Sequence, residues 1–210
     1  MAGIVKINAV QLGDSATATQ NFVWQTNVDG TAKLARGNVG ATSQDILTVD
    51  AGGKVDFPQG AKTIELDTPQ DTTSGTSKDF TIPAGAKRVT VLLDGVSTNG
   101  TANLMLTLND EITGYVGCYQ RGTTFVALST AFQLTDAQAA ADNLSGSISL
   151  DLLNSATNKW VANSNFGRSP LAFTCNVGGN KALAAVLTKV TVSASAGTFD
   201  VGSVNVSWEF

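Results

Sequence analysis

The sequence lacks histidine altogether over its 210 residues. This absence excludes Ser-His-Asp and Cys-His triads, zinc sites with histidine ligands, and acid–base catalysis by imidazole. A carboxylate pair is what remains for an enzyme. The candidate pairs are Asp110 with Glu111 and Asp142 with Asp151. Because acidic residues in a strand-rich domain usually occupy turns and solvated edges, the sequence predicts a protein that is not an enzyme.

Cofactor-binding motifs are also missing. The chain has no phosphate-binding loop, no Rossmann glycine pattern and no paired-cysteine metal motif. Residues 109–111 lie between two strand-like rows and favour a hairpin turn over a weak calcium site. The two cysteines, Cys118 and Cys175, lie in strand-like segments and are predicted to be reduced, small, buried side chains. No cofactor and no metal are therefore predicted.

Charged residues are scarce, at 14% of the chain against about 25% in an average soluble domain. Charge is depleted at the centre of protein interfaces, so this composition favours burial against copies or neighbours, with a low-charge monomer as the alternative. The net charge of −4 and the absence of a Lys/Arg cluster argue against nucleic-acid binding. No apolar run approaches about 18 residues, and no leader-like segment is present, so neither membrane insertion nor secretion is predicted.

Rows of alternating apolar residues dominate after residue 77. They are Val89, Val91 and Leu93; Leu104, Leu106 and Leu108; Ile148, Leu150 and Leu152; and Val204, Val206, Trp208 and Phe210. Each row is explained by an antiparallel strand with one buried face. Trp160 and Trp208 are predicted to pack in the core, whereas Tyr115 and Tyr119, on one face of one strand, are predicted to be half-buried and structural.

Turn-forming residues separate these rows at near-regular intervals. They are Asp94-Gly95, Asn99-Gly100, Gly178-Gly179-Asn180 and Ala196-Gly197. The pattern predicts an all-β fold: an antiparallel two-sheet β-sandwich of eight to ten strands, jelly-roll-like, with an N-terminal β-hairpin module for oligomerisation or attachment. One helix is predicted over residues 135–143, with Thr135 as its N-cap.

Three regions are predicted along the chain. Residues 1–66 hold two hairpin turns, at 28–31 and 49–55, but few large side chains, so they should complete their core with other chains or a docking partner. Residues 67–77 carry Pro69 and Gly75 without an apolar anchor and are predicted to be a linker. Residues 78–210 are the predicted sandwich.

Residues 21–24, 29–40 and 45–50 resemble a segment found near the start of tailed-bacteriophage fibre and minor structural proteins. In that family the segment is associated with virion attachment or intertwined trimer formation. The resemblance implies an attachment and oligomerisation role for eight residues of this chain. They are Phe22, Trp24, Asp29, Gly30, Leu34, Arg36, Gly37 and Gly40.

Residues 158–162, 187–192 and 197–206 are similar to strands of β-sandwich tip domains in phage tail proteins. Together the resemblances imply a virion structural protein assembled in the bacterial cytoplasm: a short trimeric tail fibre or receptor-contacting appendage. The implied partners are copies of the chain, other tail or capsid proteins and a host-surface glycan, with the receptor-binding residues unassigned. The chain has no heptads or repeats to build a shaft, so a capsid-associated head fibre or decoration protein with a purely architectural role is the alternative.

Overall fold

β-Strands are the regular elements of this protein. The computed structural model describes residues 9–13, 16–17, 21–27, 30–38, 41–53, 55–56 and 64–210. Within these ranges the chain forms eighteen strands and no α-helix, so no described helix could cross a membrane. The chain divides into two compact units, residues 1–63 and residues 64–210.

The described residues of the first unit form one antiparallel sheet in the order β1-β2-β3-β4-β5. The strands are β1 Ala9–Leu12, β2 Phe22–Thr26, β3 Ala32–Asn38, β4 Ala41–Val49 and β5 Val55–Asp56. Both predicted hairpins are present, joining β2 to β3 and β4 to β5. The Gly30 N–H donates to the Asn27 carbonyl at 3.2 Å, and the Gly53 N–H donates to the Asp50 carbonyl at 3.0 Å. Residues 28, 29 and 54 of these turns lie outside the described residues.

Thirteen strands make up the second unit. They are β6 Glu65–Leu66, β7 Gln70–Asp71, β8 Ser77–Thr81, β9 Arg88–Thr98, β10 Leu104–Leu108, β11 Tyr115–Arg121, β12 Thr124–Ala127, β13 Phe132–Gln133, β14 Asn143–Asn154, β15 Lys159–Ser169, β16 Phe173–Ala182, β17 Lys189–Ala194 and β18 Phe199–Glu209. The estimate of eight to ten strands is too low because short edge strands such as β6, β7 and β13 leave no periodic signal.

The thirteen strands form two antiparallel sheets. The large sheet has the order β12-β11-β16-β15-β14-β9-β18-β6, with β7 also pairing with β18, and the small sheet has the order β13-β10-β17-β8. The chain crosses repeatedly between them: β8, β10, β13 and β17 lie in the small sheet, while the strands between and after them lie in the large one. Such wrapping is typical of a jelly roll. The predicted all-β, antiparallel sandwich is therefore confirmed.

The predicted apolar rows supply the core of the sandwich. Val89, Val91 and Leu93 of β9, the three leucines of β10, and Val204 and Val206 of β18 are all buried in one cluster. Trp160 is buried as predicted, and Trp208 is half-buried. Tyr115 and Tyr119 are more buried than predicted, at 3% and 0% exposure. The Tyr115 ring meets Phe132 edge-on at 5.0 Å, so aromatic packing ties the two sheets together.

The predicted linker, residues 67–77, is instead part of the sandwich. The Asp67 N–H donates to the Val206 carbonyl at 2.8 Å, and the Thr72 N–H donates to the Gly202 carbonyl at 2.9 Å. The Thr72 side chain is fully buried, and its hydroxyl donates to the Val201 carbonyl at 2.8 Å. The sequence predicts a linker here because edge strands pair through their backbone groups and need no apolar side chain, so they leave no apolar pattern. The boundary between the compact units falls after residue 63 rather than at 66.

The predicted helix over residues 135–143 is wrong. The Asp136 and Ala137 N–H groups donate to the Tyr119 hydroxyl at 3.2 Å and to the Asn103 side-chain oxygen at 2.8 Å. Gln138 exchanges backbone hydrogen bonds with Ala102, at 2.8 and 3.0 Å. A helix this short is marginal by itself, so partners distant in sequence determine the backbone conformation.

Two of the four predicted turns lie inside strands. Asp94-Gly95 lies within β9, where Gly95 has a φ of 61° next to an irregular register with β18. Gly178-Gly179-Asn180 lies within β16. Asn99-Gly100 and Ala196-Gly197 do lie in connections between strands. Glycine is thus used both for turns and for bulges or close approach of backbones.

Candidate functional site

An apolar face covers one side of the N-terminal sheet. Its residues come from all five strands and lie directly opposite one another in three rows. We define the N-terminal apolar face as Val10, Leu12, Phe22, Trp24, Leu34, Leu47, Val49 and Val55. Trp24 lies in the central row, between Val10 on β1 and Leu34 on β3. Three of the eight predicted site residues, Phe22, Trp24 and Leu34, therefore lie together.

This face is incompletely covered. Trp24 is 41% exposed, Val10 42%, Leu12 57% and Val55 49%. A sheet with one apolar side normally buries it against a second layer. Large contiguous exposed apolar patches mark interaction sites, whereas single exposed residues do not. The arrangement has the physical character of a protein-binding surface.

Arg36 supplies the charge beside this face. It lies opposite Phe22 in the β2–β3 pair, and its guanidinium carbon is 5.8 Å from the centre of the Phe22 ring. A cation over an aromatic ring is attracted by the negative ring face. The predicted site residue Arg36 thus holds Phe22 in place and borders the apolar surface.

The predicted glycines have conformational roles. Gly30 has a φ of 85° in the β2–β3 hairpin, and Gly37 has a φ of 134° next to a register shift between β3 and β4. The Gly37 N–H donates to the Asn21 carbonyl at 3.0 Å. These two residues shape the strands that present the apolar face. The other predicted site residues, Asp29 and Gly40, lie outside the described residues.

The opposite side of the same sheet is polar around a small buried centre. Val23 and Ala35, paired across β2 and β3, are 1% and 0% exposed. Next to them, Lys33 Nζ is 2.8 Å from Asp45 Oδ1. The sheet therefore has one mainly polar side that suits contact with water and one apolar side that suits contact with a partner.

The candidate catalytic carboxylates are engaged in ion pairs. Asp142 is buried against Arg168, and Asp151 lies 2.7 Å from Arg88 on the surface. Burial alone would raise the pKa of Glu111, but the Lys181 ammonium and the Ala184 N–H lower it overall. A lowered pKa keeps this carboxylate ionised, which does not suit a general acid.

Residues 109–111 form a turn, as predicted, but the turn does not close a hairpin, because β10 and β11 lie in different sheets and do not pair. Asn109 and Asp110 have φ values of 50° and 59°, and the Glu111 N–H donates to the Leu108 carbonyl at 3.0 Å. Lys189 lies 2.7 Å from the Asp110 carboxylate. No group of three or more acidic, cysteine or histidine residues positioned for a metal ion occurs within the described residues.

One cysteine differs from its prediction. Cys175 is buried, as expected, and its sulfur lies 3.3 Å from the Tyr119 hydroxyl. Cys118 is exposed on the outer side of β11. Strand alternation explains the difference, because even and odd positions of β11 face opposite sides of the sheet.

Exposed aromatic rings on the sandwich are a feature that the sequence did not reveal. Phe125 on β12 is 65% exposed, and Phe173 on β16 is 45% exposed. Phe173 lies 5.7 Å from the Arg121 guanidinium carbon. Phe125 lies on a short strand without a clear alternating pattern, so no sequence signal separates it from a core residue.

Comparison with known proteins adds no relationship: no protein-family model and no curated protein matches the chain.

Proposed function

We propose that this chain is a non-enzymatic structural protein of a bacteriophage virion, a short trimeric tail fibre or receptor-contacting appendage. In this proposal, the N-terminal unit joins three chains and attaches them to another virion protein, and the sandwich contacts the host surface. The single observation that carries the proposal is the exposed N-terminal apolar face. Assembly would bury this surface and supply the missing second layer.

The contrast between the two units supports this division of roles. The sandwich packs its apolar rows into one continuous core between two sheets. The described part of the N-terminal unit has a single sheet with only Val23 and Ala35 among its buried apolar residues. A domain with its own core can project from a particle, whereas the exposed apolar side of a single sheet is buried against a second layer on assembly.

The trimer is tested by native mass measurement together with the variant Trp24→Ala. We expect the wild-type protein to have three times the 21.6 kDa chain mass at micromolar concentration. Removing a fully buried Trp costs about 3–5 kcal/mol, so the variant should dissociate to monomers. Leu153→Ala, at a residue 65% exposed on the sandwich, is the control and should leave the mass unchanged. A wild-type protein that remains a 21.6 kDa monomer would contradict the proposal.

Virion incorporation is tested separately. Purified phage particles should contain the chain by mass spectrometry, and a cryo-electron map should place it on the tail or on the capsid. Trp24→Ala should reduce its copy number on particles, whereas Leu153→Ala should not. Absence from purified particles would refute the virion role. A position on the capsid without binding to host glycans would favour the architectural alternative.

A further inference from the structure

A shallow depression lies on the outer side of the large sheet. It measures about 430 Å³ and spans strands β11, β12, β15 and β16. We define the amide site as its five central residues, which are Gln120, Phe125, Asn163, Asn176 and Gly178. Cys118 and Val177 complete the lining, so no acidic or basic side chain borders it.

Strand register brings these residues together. Gln120 of β11 lies opposite Phe125 of β12 on one side and Asn176 of β16 on the other. One row along, Gly178 of β16 lies opposite Asn163 of β15. Residues directly opposite in antiparallel strands point to the same side of the sheet. The ring and the three amides therefore share one surface.

The floor of the amide site is bare backbone at Gly178. A Cβ atom placed on Gly178 would meet no other atom within 4 Å. The residues adjacent to Gly178 on this side of the sheet all carry side chains. Because Gly178 has none, the depression opens at its position. Phe125, at 65% exposure, lines the same depression from β12.

The amides are available for hydrogen bonding. The Asn163 and Asn176 side chains make none of the hydrogen bonds found within residues 64–210. The Gln120 side-chain nitrogen donates to the Gly122 carbonyl at 3.1 Å, which orients its amide. Each amide presents both donors and an acceptor. Three amides next to an aromatic ring can thus recognise a ligand whose polar groups both donate and accept.

We propose that the amide site binds a neutral saccharide, an inference that rests on the proposed receptor-contacting function. A sugar ring has a face of C–H groups that can pack on Phe125 and a rim of hydroxyls that match the amide donors and acceptors. The lack of charge around the site argues against an anionic or cationic ligand. A protein partner would be expected to meet more than one large apolar side chain at the centre of its interface.

The test uses the full chain and two variants, Phe125→Ala and Gly178→Val. Probes are glucose, galactose, mannose, rhamnose and N-acetylglucosamine, together with neutral and acidic bacterial polysaccharides, measured by calorimetry and on a polysaccharide array. The wild-type protein should bind at least one neutral probe. Each variant should lose about tenfold or more in affinity, because Phe125→Ala removes the stacking ring and Gly178→Val fills the floor.

Matched controls are Phe173→Ala, at another exposed ring, and Gly100→Val, where an added Cβ also meets nothing within 4 Å. Both should bind as the wild-type protein does, and all variants should keep its thermal unfolding midpoint. The proposal is overturned if no neutral probe binds, if only acidic polysaccharides bind, or if Phe173→Ala is the variant that loses binding. Those results would leave trimer formation and virion incorporation unaffected, because both are measured without a sugar.

Discussion

Arg168 and Asp142 form a buried ion pair at the end of the large sheet. Their side chains are 2% and 4% exposed, and Arg168 Nε donates to Asp142 Oδ2 at 3.0 Å. The other guanidinium nitrogens donate to the Asp136 and Ala137 carbonyls, both at 2.9 Å. The charge is therefore neutralised and its hydrogen bonds are satisfied, which is the condition for burying an ion pair.

Replacing Arg168 with Met should destabilise the protein by about 3–5 kcal/mol, because Asp142 would remain buried without its partner. Urea unfolding followed by tryptophan fluorescence measures the loss. Arg88→Met is the control, since the Arg88–Asp151 pair is about half exposed at 50% and 51%. That variant should unfold at nearly the wild-type urea concentration. Equal effects of the two substitutions would show that burial of the pair is not what matters.

Glu111 should make stability depend on pH. Its pKa lies below the usual 4.5, since the Lys181 and Ala184 contacts outweigh burial. Its contribution is therefore complete above about pH 4.5 and is lost as the pH falls through the lowered pKa. Glu111→Gln should lose roughly 1–3 kcal/mol at pH 7, where buried Lys181 lacks its charged acceptor.

The difference between Glu111→Gln and the wild-type protein should shrink in acid. Denaturant unfolding at intervals from pH 7 to pH 3 measures this difference in stability. The free energies of unfolding of the two proteins should become equal once the wild-type Glu111 carboxyl is protonated. A constant difference over this range would contradict the assignment. Lys189 is not involved, because it pairs with Asp110 and Asp79 instead.

At the scale of the element, β11 and β16 approach one another at their glycines. Gly117 has a φ of 146°, and a Cβ there would lie 2.5 Å from Gly179 Cα and nearer still to the Gly178 carbonyl oxygen. Gly178 is different, since its added Cβ would face open space. The same strand pair thus contains positions that require glycine, such as Gly117, and one position, Gly178, that tolerates a side chain.

Gly117→Ala should cost about 1–3 kcal/mol, because the backbone must shift or the strand pair must separate. Gly178→Ala should stay within about 0.5 kcal/mol of the wild-type stability. Thermal and urea unfolding of both variants measure the two effects. Similar losses at both positions would show that strand propensity, rather than the close approach, governs them.

The connection from Thr135 to Asp142 shows why its sequence wrongly predicts a helix. Its alanine-rich composition favours a helix, yet Arg168, Tyr119 and Asn103 take up its backbone groups. The partners of the Asp136 and Ala137 backbone groups lie 17 to 34 residues away along the chain. Local propensity is a weak preference that such tertiary contacts override.

At the scale of the whole molecule, the boundary between the units can be tested with two fragments. Residues 64–210 should fold cooperatively because they contain the entire sandwich. Residues 78–210 lack β6, β7 and buried Thr72, and should be less stable by at least about 2 kcal/mol, since each lost hydrogen bond contributes about 0.5–1.5 kcal/mol. Urea unfolding compares them. Equal stability would restore the linker interpretation of residues 67–77.

The N-terminal apolar face was partly foreseen from the sequence. Few large side chains and two hairpin turns predicted a module without its own core, and Phe22, Trp24 and Leu34 do lie on one side of the sheet. The amide site was not foreseen. Its residues come from four strands between residues 120 and 178. Only Gly178 belongs to a local pattern, and that pattern predicts a turn rather than a strand.

Alternation of apolar residues in β9, β10, β14 and β18 is enough to predict the β-sandwich, because it requires one buried face per strand. Three features emerge only in the folded chain: residues 67–72 hydrogen-bond to β18, residues 135–142 are not helical, and Gly178 and Phe125 share a surface. The physical reason is the same in each case. Backbone hydrogen bonds and strand register join residues that are remote in sequence, and neither leaves a periodic signal in the chain.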